Sequence, residues 1–420
     1  MEQVVVKGRK PLQGEIDIQG SKNSALPILA ATVLCKGDNI IHNCPSLTDV
    51  DAAVKILEYL GCKVKRKGST VYINSDNINK SHIPDSLMHE MRSSIVFLGP
   101  LLARTGKACL SAPGGCEIGL RPIDLHIKSI RRFGVTVKEG YGKIDCSCQK
   151  RLEGCEIVLS FPSVGATENI MLTACTARGT TVLINSAREP EIEDLACFLN
   201  KCGAKIHGAG SGKIMIEGVE KLGSCEHRVI PDRIMTCVYM SCCAVAGGKI
   251  RLNNICPEHI APCMSVFARS GCNIERREKS IFITSAGKLH SPGTVRTMPF
   301  PGFPTDFQAS AMTMASVGDG TAVFIENIFE RRYKHAAELV RMGANIKLEG
   351  RVAVVQGVRE LTGTTVSSTD LRGGAALVTA GLCALGTTVV RDLSHIDRGC
   401  EGFVENLKAL GADIRREKAD

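Results

Sequence analysis

Hydrophobic positions along the chain switch repeatedly between a helical and a strand period, and one short signature, apolar-Gly-small-x-Val/Ile, marks six of the switches. The copies are Leu60-Gly61-Cys62-Lys63-Val64, Phe133-Gly134-Val135-Thr136-Val137, Cys202-Gly203-Ala204-Lys205-Ile206, Ser270-Gly271-Cys272-Asn273-Ile274, Met342-Gly343-Ala344-Asn345-Ile346 and Leu410-Gly411-Ala412-Asp413-Ile414. Their glycines lie 68 to 73 residues apart, so the chain reads as six copies of one supersecondary unit. Each Gly follows an amphipathic segment, such as Val50 to Leu60 or Gly402 to Leu410, and so predicts a helix C-cap. Two short alternating runs about a turn come next, as in Lys205-Ile206-His207 and Lys213 to Ile216, which predict a hairpin. Upstream, Gly37-Asp38, Gly106-Lys107, Gly179-Thr180, Gly247-Gly248, Gly320-Thr321 and Gly386-Thr387 each open a further strand, preceded by another helix. The unit runs helix, strand, helix, strand, strand, which predicts an α/β fold of repeated βαβαββ units.

A chain of 420 residues is too long for one ordinary core, and six units divide into two domains of three. The first complete unit starts near Ser21, which leaves Gln3 to Gln19 as a leading strand. Its simplest role is to complete the unit that ends at the C-terminus. The expected domains are therefore residues 22–230, and residues 1–21 together with 231–420.

Charges within Met1 to Lys10 interrupt what a signal peptide would need, and the apolar stretches Ala25 to Leu34 and Ala375 to Val390 are too short to span a bilayer. A cytoplasmic protein with no membrane partner is expected. The twenty cysteines show no CxxC pair or metal-ligand spacing, so they are expected to be reduced, mostly buried as small hydrophobes, with no metal. A net charge of +9 favours anionic partners. With no Trp, few Tyr and no run of five basic residues, small phosphorylated ligands are favoured over nucleic acid.

The glycine-rich run Gly208 to Lys213 lacks phosphate-loop spacing and falls where other units have a hairpin turn, so it is read as a turn. The loop Pro113-Gly114-Gly115-Cys116 to Leu125 carries more information. A thiol among glycines, five residues from Arg121 and beside a helix start, can have a lowered pKa and act as acid or nucleophile, while a cysteine among twenty is by default inert. Thr305-Asp306 precedes a helix, as Thr369-Asp370 does in the next unit. Such an Asp is by default an N-cap, and it can also take a proton from a hydroxyl. Cations recur in phase: Lys22, Arg92 and Arg372 start the first helix of their units, and Arg121, Arg332 and Arg398 lie before the second. If equivalent ends face one cleft, they and the helix N-termini make a site for phosphate and carboxylate.

At these residues the chain resembles the UDP-N-acetylglucosamine enolpyruvyl transferases, the target family of fosfomycin, which share their two-domain fold with 5-enolpyruvylshikimate-3-phosphate synthase. The resemblance runs end to end through Gly20 to Pro27, Met91-Arg92-Ser93-Ser94, the Cys116 loop, Ser163 to Asn169, Ala187 to Glu191, Thr305-Asp306, Glu326 to Glu330, Asp370-Leu371-Arg372 and His395 to Gly399. It implies an inside-out α/β barrel of six βαβαββ repeats, three per domain, and the first committed step of peptidoglycan synthesis with no cofactor. Phosphoenolpyruvate would be held by Lys22, Asn23, Arg121, Arg372 and Arg398. The nucleotide sugar would meet Arg92, Arg121, Pro122, Ile123, Asp124, Leu125, Phe161, Pro162, Ser163, Val164, Asp306 and Ile328, with Arg332 completing the cationic set. Catalytic roles fall to Cys116 as proton donor to C3 of the alkene and target of fosfomycin, to Asp306 as acceptor of the sugar hydroxyl proton, and to Lys22 and Arg398. The Cys116 loop would close as a lid. Phe161-Pro162 departs from a Lys-Val pair found in some relatives and bears on nucleotide contacts. Two alternatives remain: transfer to shikimate-3-phosphate, and a catalytically idle regulatory paralogue that binds the nucleotide sugar.

Overall fold

The computed structural model describes residues 2–91, 93–111 and 123–418. They form two compact units, one of residues 20–230 and one of residues 2–19 with 231–418, apart from the segments not described.

All six signature glycines take left-handed backbone, with φ of 108, 83, 100, 89, 96 and 91° in chain order. A side chain there would be strained, which explains why the same residue ends each amphipathic helix. The chain then turns directly into the hairpin. In the unit of residues 20–230, Lys63–Lys67 pairs with Thr70–Asn74, Thr136–Gly140 with Lys143–Ser147, and Lys205–His207 with Lys213–Glu217. The last pairing makes the glycine-rich run at 208–212 a hairpin turn. In the other unit, Asn273–Arg276 pairs with Ser280–Ser285 and Asn345–Glu349 with Val352–Gln356.

Each hairpin's second strand pairs antiparallel with the strand that the upstream glycine opens: Asp38–His42, Lys107–Ser111, Thr180–Ile184, Gly248–Asn253 or Thr321–Ile325. The register sets apolar residues opposite one another, as in Leu183 with Ile214 and Ile41 with Val71. A short parallel strand completes most sheets, such as Glu156–Val158 beside Thr180–Ile184.

The N-terminal segment departs from the expected single strand. Glu2–Lys7 lies between Thr387–Arg391 and Asp413–Lys418, antiparallel to both, and so completes the C-terminal sheet. Leu12–Asp17 instead joins a different sheet, parallel to Gly248–Asn253. The backbone is tightly placed at the break. A Cβ on Gly8 would lie 2.2 Å from the Ala384 carbonyl oxygen, and Arg9 follows with φ 66°.

Two kinds of helix result. Arg233–Ala246, Gln308–Ser316 and Leu371–Cys383 are buried almost throughout and pack against one another, whereas Ala261–Arg269, Lys334–Arg341 and Phe403–Ala409 bury one face only. Helix Leu371–Cys383 approaches its sheet closely because Gly381 has no side chain: a Cβ would stand 3.2 Å from those of Thr388 and Val6. Lys22–Ala31 and Val164–Ala174 are buried in the same way in the other unit. Most cysteines serve this packing, and burial pushes the thiols of Cys175 and Cys242 up to about 12, which leaves them as inert apolar filler. No helix among the described residues is long and apolar enough to cross a membrane.

Candidate active site

Asp306 is the centre of a charged network in the unit of residues 231–418. It lies in the 3₁₀ turn Thr305–Phe307 ahead of helix Gln308–Ser316, where Pro304 takes the cap position and makes no side-chain cap bond. The expected capping role goes unfilled at this position. Oδ1 of Asp306 instead accepts from Arg332 Nη2 at 2.9 Å and Oδ2 from Arg372 Nη2 at 3.0 Å. In the equivalent place, Asp370 does cap: its Oδ1 accepts from the backbone N–H of Arg372 at 3.0 Å and Gly373 at 3.1 Å. That cap places Arg372 in the first turn of Leu371–Cys383, within reach of Asp306.

Both arginines are buried, while the Asp306 side chain is 28% exposed. Burial alone would weaken the Arg372 charge, but the carboxylates of Asp306 and Asp232 overcome it and hold the guanidinium above its ordinary pKa. Its Nη1 is buried with no hydrogen-bond partner among the described residues. A charged donor left unmatched in this way is costly unless an anionic oxygen completes it. Arg332 is held further by Nε donating to Thr305 O at 3.2 Å, and its guanidinium stands over the Phe329 ring at 5.9 Å.

The sequence gives no role to Glu326, yet this fully buried carboxylate organises the segment around Ile328. It accepts from Thr297 Oγ1 and Thr305 Oγ1, each at 3.0 Å, and from the backbone N–H of Ile328 at 2.9 Å and Phe329 at 3.1 Å. It therefore ties Ile328 to the residue before Asp306. Arg398 lies half-buried in the segment before Phe403–Ala409; its neighbour Asp397 is gripped by both Nη atoms of Arg416, at 2.9 and 2.8 Å.

In the unit of residues 20–230, Lys22 and Asn23 open helix Lys22–Ala31, and Lys22 Nζ reaches the buried Asp49 Oδ2 at 3.2 Å. Asp124 opens helix Asp124–Arg132, where its bond to Lys128 lowers its pKa despite some burial. Ser163 caps Val164–Ala174 by accepting from Ala166 N at 3.4 Å, with Pro162 and Val164 half-buried and Phe161 exposed. The segments at 123–125 and 161–164 are brought together by residues to which sequence reasoning gave no role. His126 Nδ1 accepts from Asn169 Nδ2 at 2.9 Å, and a Cβ on Gly165 would lie 3.1 Å from the His126 ring. Ile123 and Leu125 are both half-buried and pack against the core of this unit. Nearby in sequence, burial and then the Glu191 and Glu189 carboxylates push the buried Glu168 well above the ordinary carboxyl range. Cys116, Arg121, Pro122 and Arg92 lie outside the described residues.

His126 and His335 are both held neutral. Burial lowers each to about 4 from 6.5; at His335 the Arg332 charge adds to this and Asp370 opposes it. Both His335 ring nitrogens are buried without a hydrogen-bond partner among the described residues. A histidine lowered in this way takes up its proton first in the unfolded chain, so stability falls as pH drops from 6.5 towards 4. For His335 the expected loss between pH 7.5 and 5 is on the order of 2 kcal/mol. Urea unfolding of wild type and His335→Asn at the two pH values checks it: the wild type is expected to lose that much more, and equal losses would refute it.

A family profile described as EPSP synthase (3-phosphoshikimate 1-carboxyvinyltransferase) matches residues 6–407. Among relatives, UDP-N-acetylglucosamine 1-carboxyvinyltransferase 2 of Caldanaerobacter subterraneus is 50% identical over 411 residues, 98% of each chain. UDP-N-acetylglucosamine 1-carboxyvinyltransferase of Serratia proteamaculans is 46% identical over the whole of both. Among solved structures, the enolpyruvyl transferase NikO from Streptomyces tendae superposes with a TM-score of 0.90 at 26% identity, covering 100% of this chain and 99% of that one. EPSP synthase from Acinetobacter baumannii gives 0.76 at 16% identity over the whole of both chains, a likeness of fold.

Proposed function

This chain belongs to the EPSP synthase family, and within it to the UDP-N-acetylglucosamine 1-carboxyvinyltransferases; from that premise we propose that it moves the enolpyruvyl group of phosphoenolpyruvate onto the 3-hydroxyl of UDP-N-acetylglucosamine. Phosphate leaves, and the product enters peptidoglycan synthesis in the cytoplasm. The observation that carries this reading is the Asp306 network: one partly exposed carboxylate between two buried guanidinium groups, one of which has an N–H unmatched among the described residues. A carboxylate that can accept a proton thus stands beside donors suited to a phosphate or carboxylate oxygen.

In this reading Asp306 accepts the proton of the sugar hydroxyl as its oxygen bonds to C2 of phosphoenolpyruvate, and Cys116 supplies the proton that C3 gains. The tetrahedral adduct then returns a proton from C3 to the Cys116 thiolate and expels phosphate, re-forming the alkene on the sugar. Lys22, Asn23, Arg121, Arg372 and Arg398 offset the charge on phosphoenolpyruvate through both steps. The nucleotide sugar is held by Arg92 and residues 121–125, 161–164 and 328, with Arg332 steadying Asp306. The Cys116 loop acts as the lid. We further read the architecture as an inside-out α/β barrel of six βαβαββ repeats, with domains at 22–230 and at 1–21 plus 231–420. The recurring left-handed glycines and the all-round burial of the first helices support this.

Phosphate release tests the function. Purified protein with phosphoenolpyruvate is expected to release phosphate with UDP-N-acetylglucosamine and not with shikimate-3-phosphate; the reverse would replace this acceptor, and tight binding of the nucleotide sugar without turnover would mark an idle regulatory paralogue. Fosfomycin is expected to stop release through one covalent adduct on Cys116, located by mass spectrometry of peptides. An adduct elsewhere would remove Cys116 from its role.

A further inference from the structure

Lys22 and Asn23 begin helix Lys22–Ala31, yet Ser21 in the cap position makes no side-chain bond to it. Besides the Lys22–Asp49 pair, what holds that first turn comes from the far end of the same unit's sequence. Ser21 N donates to Ile230 O at 2.7 Å, and the fully buried Ser24 donates through Oγ to Asp194 Oδ2. Asp194 belongs to helix Pro190–Lys201 and is itself buried. Its Oδ2 also accepts from Ile230 N at 3.1 Å, and its Oδ1 from His227 Nε2 at 2.8 Å. The other His227 nitrogen accepts from Lys201 Nζ at 3.4 Å, and Phe198 meets the ring edge-on at 5.7 Å.

The pair Lys22-Asn23 is thus bracketed, one residue to each side, by bonds that converge on Ile230 and Asp194. A buried carboxylate with three donors is an expensive way to join elements that apolar contacts could join, because each charge must be stripped of water. What such a network supplies is a fixed geometry. Asp194 touches neither Lys22 nor Asn23 in any of these bonds, so it can act on them only through the helix turn that Ser24 shares with them.

We propose that Asp194 is a positioning residue for the transfer reaction: through Ser24 it fixes the first turn of helix Lys22–Ala31 and so aims Lys22 and Asn23 at the anionic groups of phosphoenolpyruvate. The proposal rests on the reading that these two residues bind phosphoenolpyruvate. A turn that is free to shift misplaces an ammonium and an amide together, and the loss falls on the substrate they hold. The nucleotide sugar, held elsewhere, is spared.

Steady-state kinetics of Ser24→Ala, Asp194→Asn, the double variant and Lys22→Ala test this. Ser24→Ala removes one hydroxyl and little packing, so it decides the matter alone if Asp194→Asn does not fold. It is expected to raise the KM for phosphoenolpyruvate about tenfold while the KM for UDP-N-acetylglucosamine stays within about twofold, the size of one lost charge-assisted hydrogen bond. Asp194→Asn presents an amide N–H to a ring of donors and is expected to do at least as much; the double variant is expected to be no worse than Asp194→Asn, because both break one chain of contacts. A merely structural role would lower the active fraction, and with it kcat, at unchanged KM. That outcome, or additive effects, overturns the proposal. If Lys22→Ala raises the KM for phosphoenolpyruvate and Ser24→Ala does not, the positioning role alone fails; if neither does, the reading of Lys22 fails with it.

Discussion

Asp306→Asn is expected to lower kcat by about 10²- to 10⁴-fold, the usual contribution of one positioned base, while UDP-N-acetylglucosamine still binds within a few-fold of the wild-type affinity by calorimetry. The substitution keeps the shape of the side chain and one acceptor oxygen. It removes the negative charge that two buried guanidinium groups share, and it turns an N–H towards one of their donors. An amide cannot take the hydroxyl proton, so the sugar oxygen must attack as a neutral alcohol. Some loss of stability accompanies this, because Arg332 and Arg372 are buried and would lose part of their compensation. Denaturant midpoints measured beside the kinetics separate the two effects. A folded Asp306→Asn enzyme with a near-normal rate would take Asp306 out of the proton transfer.

The glycines that end each amphipathic helix were legible in the sequence because left-handed backbone leaves few substitutes for glycine, and the same demand recurs six times. Hairpins followed from period-two alternation, a local property. The break in the N-terminal strand had a signal too: Gly8 and Pro11 flank it, and both are turn residues. Asp306 and Asp370 share a phase and a Thr-Asp pair, yet one meets two arginines and the other caps a helix. Nothing local separates them, since the difference is set by Arg332 and Arg372 arriving from segments 26 and 66 residues away. The roles of Glu326 and Asn169, which lie in segments that carry the resemblance, and of His126 escaped for the same reason. Their partners are backbone groups and side chains of other elements, which periodicity does not name.

Arg372→Lys is the substitution that separates charge from geometry, and kcat/KM for phosphoenolpyruvate is expected to fall by at least about 10³-fold although the net charge is unchanged. Arg372 spends Nη2 on Asp306 and keeps Nη1 buried and unmatched among the described residues. A planar fork can hold the carboxylate with one arm and an anionic oxygen with the other. Lysine offers a single nitrogen on a shorter stem, so it either stays with Asp306 and abandons the substrate, or does the reverse and leaves the carboxylate half-compensated. Inorganic phosphate gives a readout independent of turnover. It is expected to raise the unfolding temperature of the wild type and to leave that of Arg372→Lys unmoved, because stabilisation by a ligand requires binding to the folded state. Equal shifts in the two proteins would place the anion away from Arg372, and the unmatched Nη1 would then need another partner.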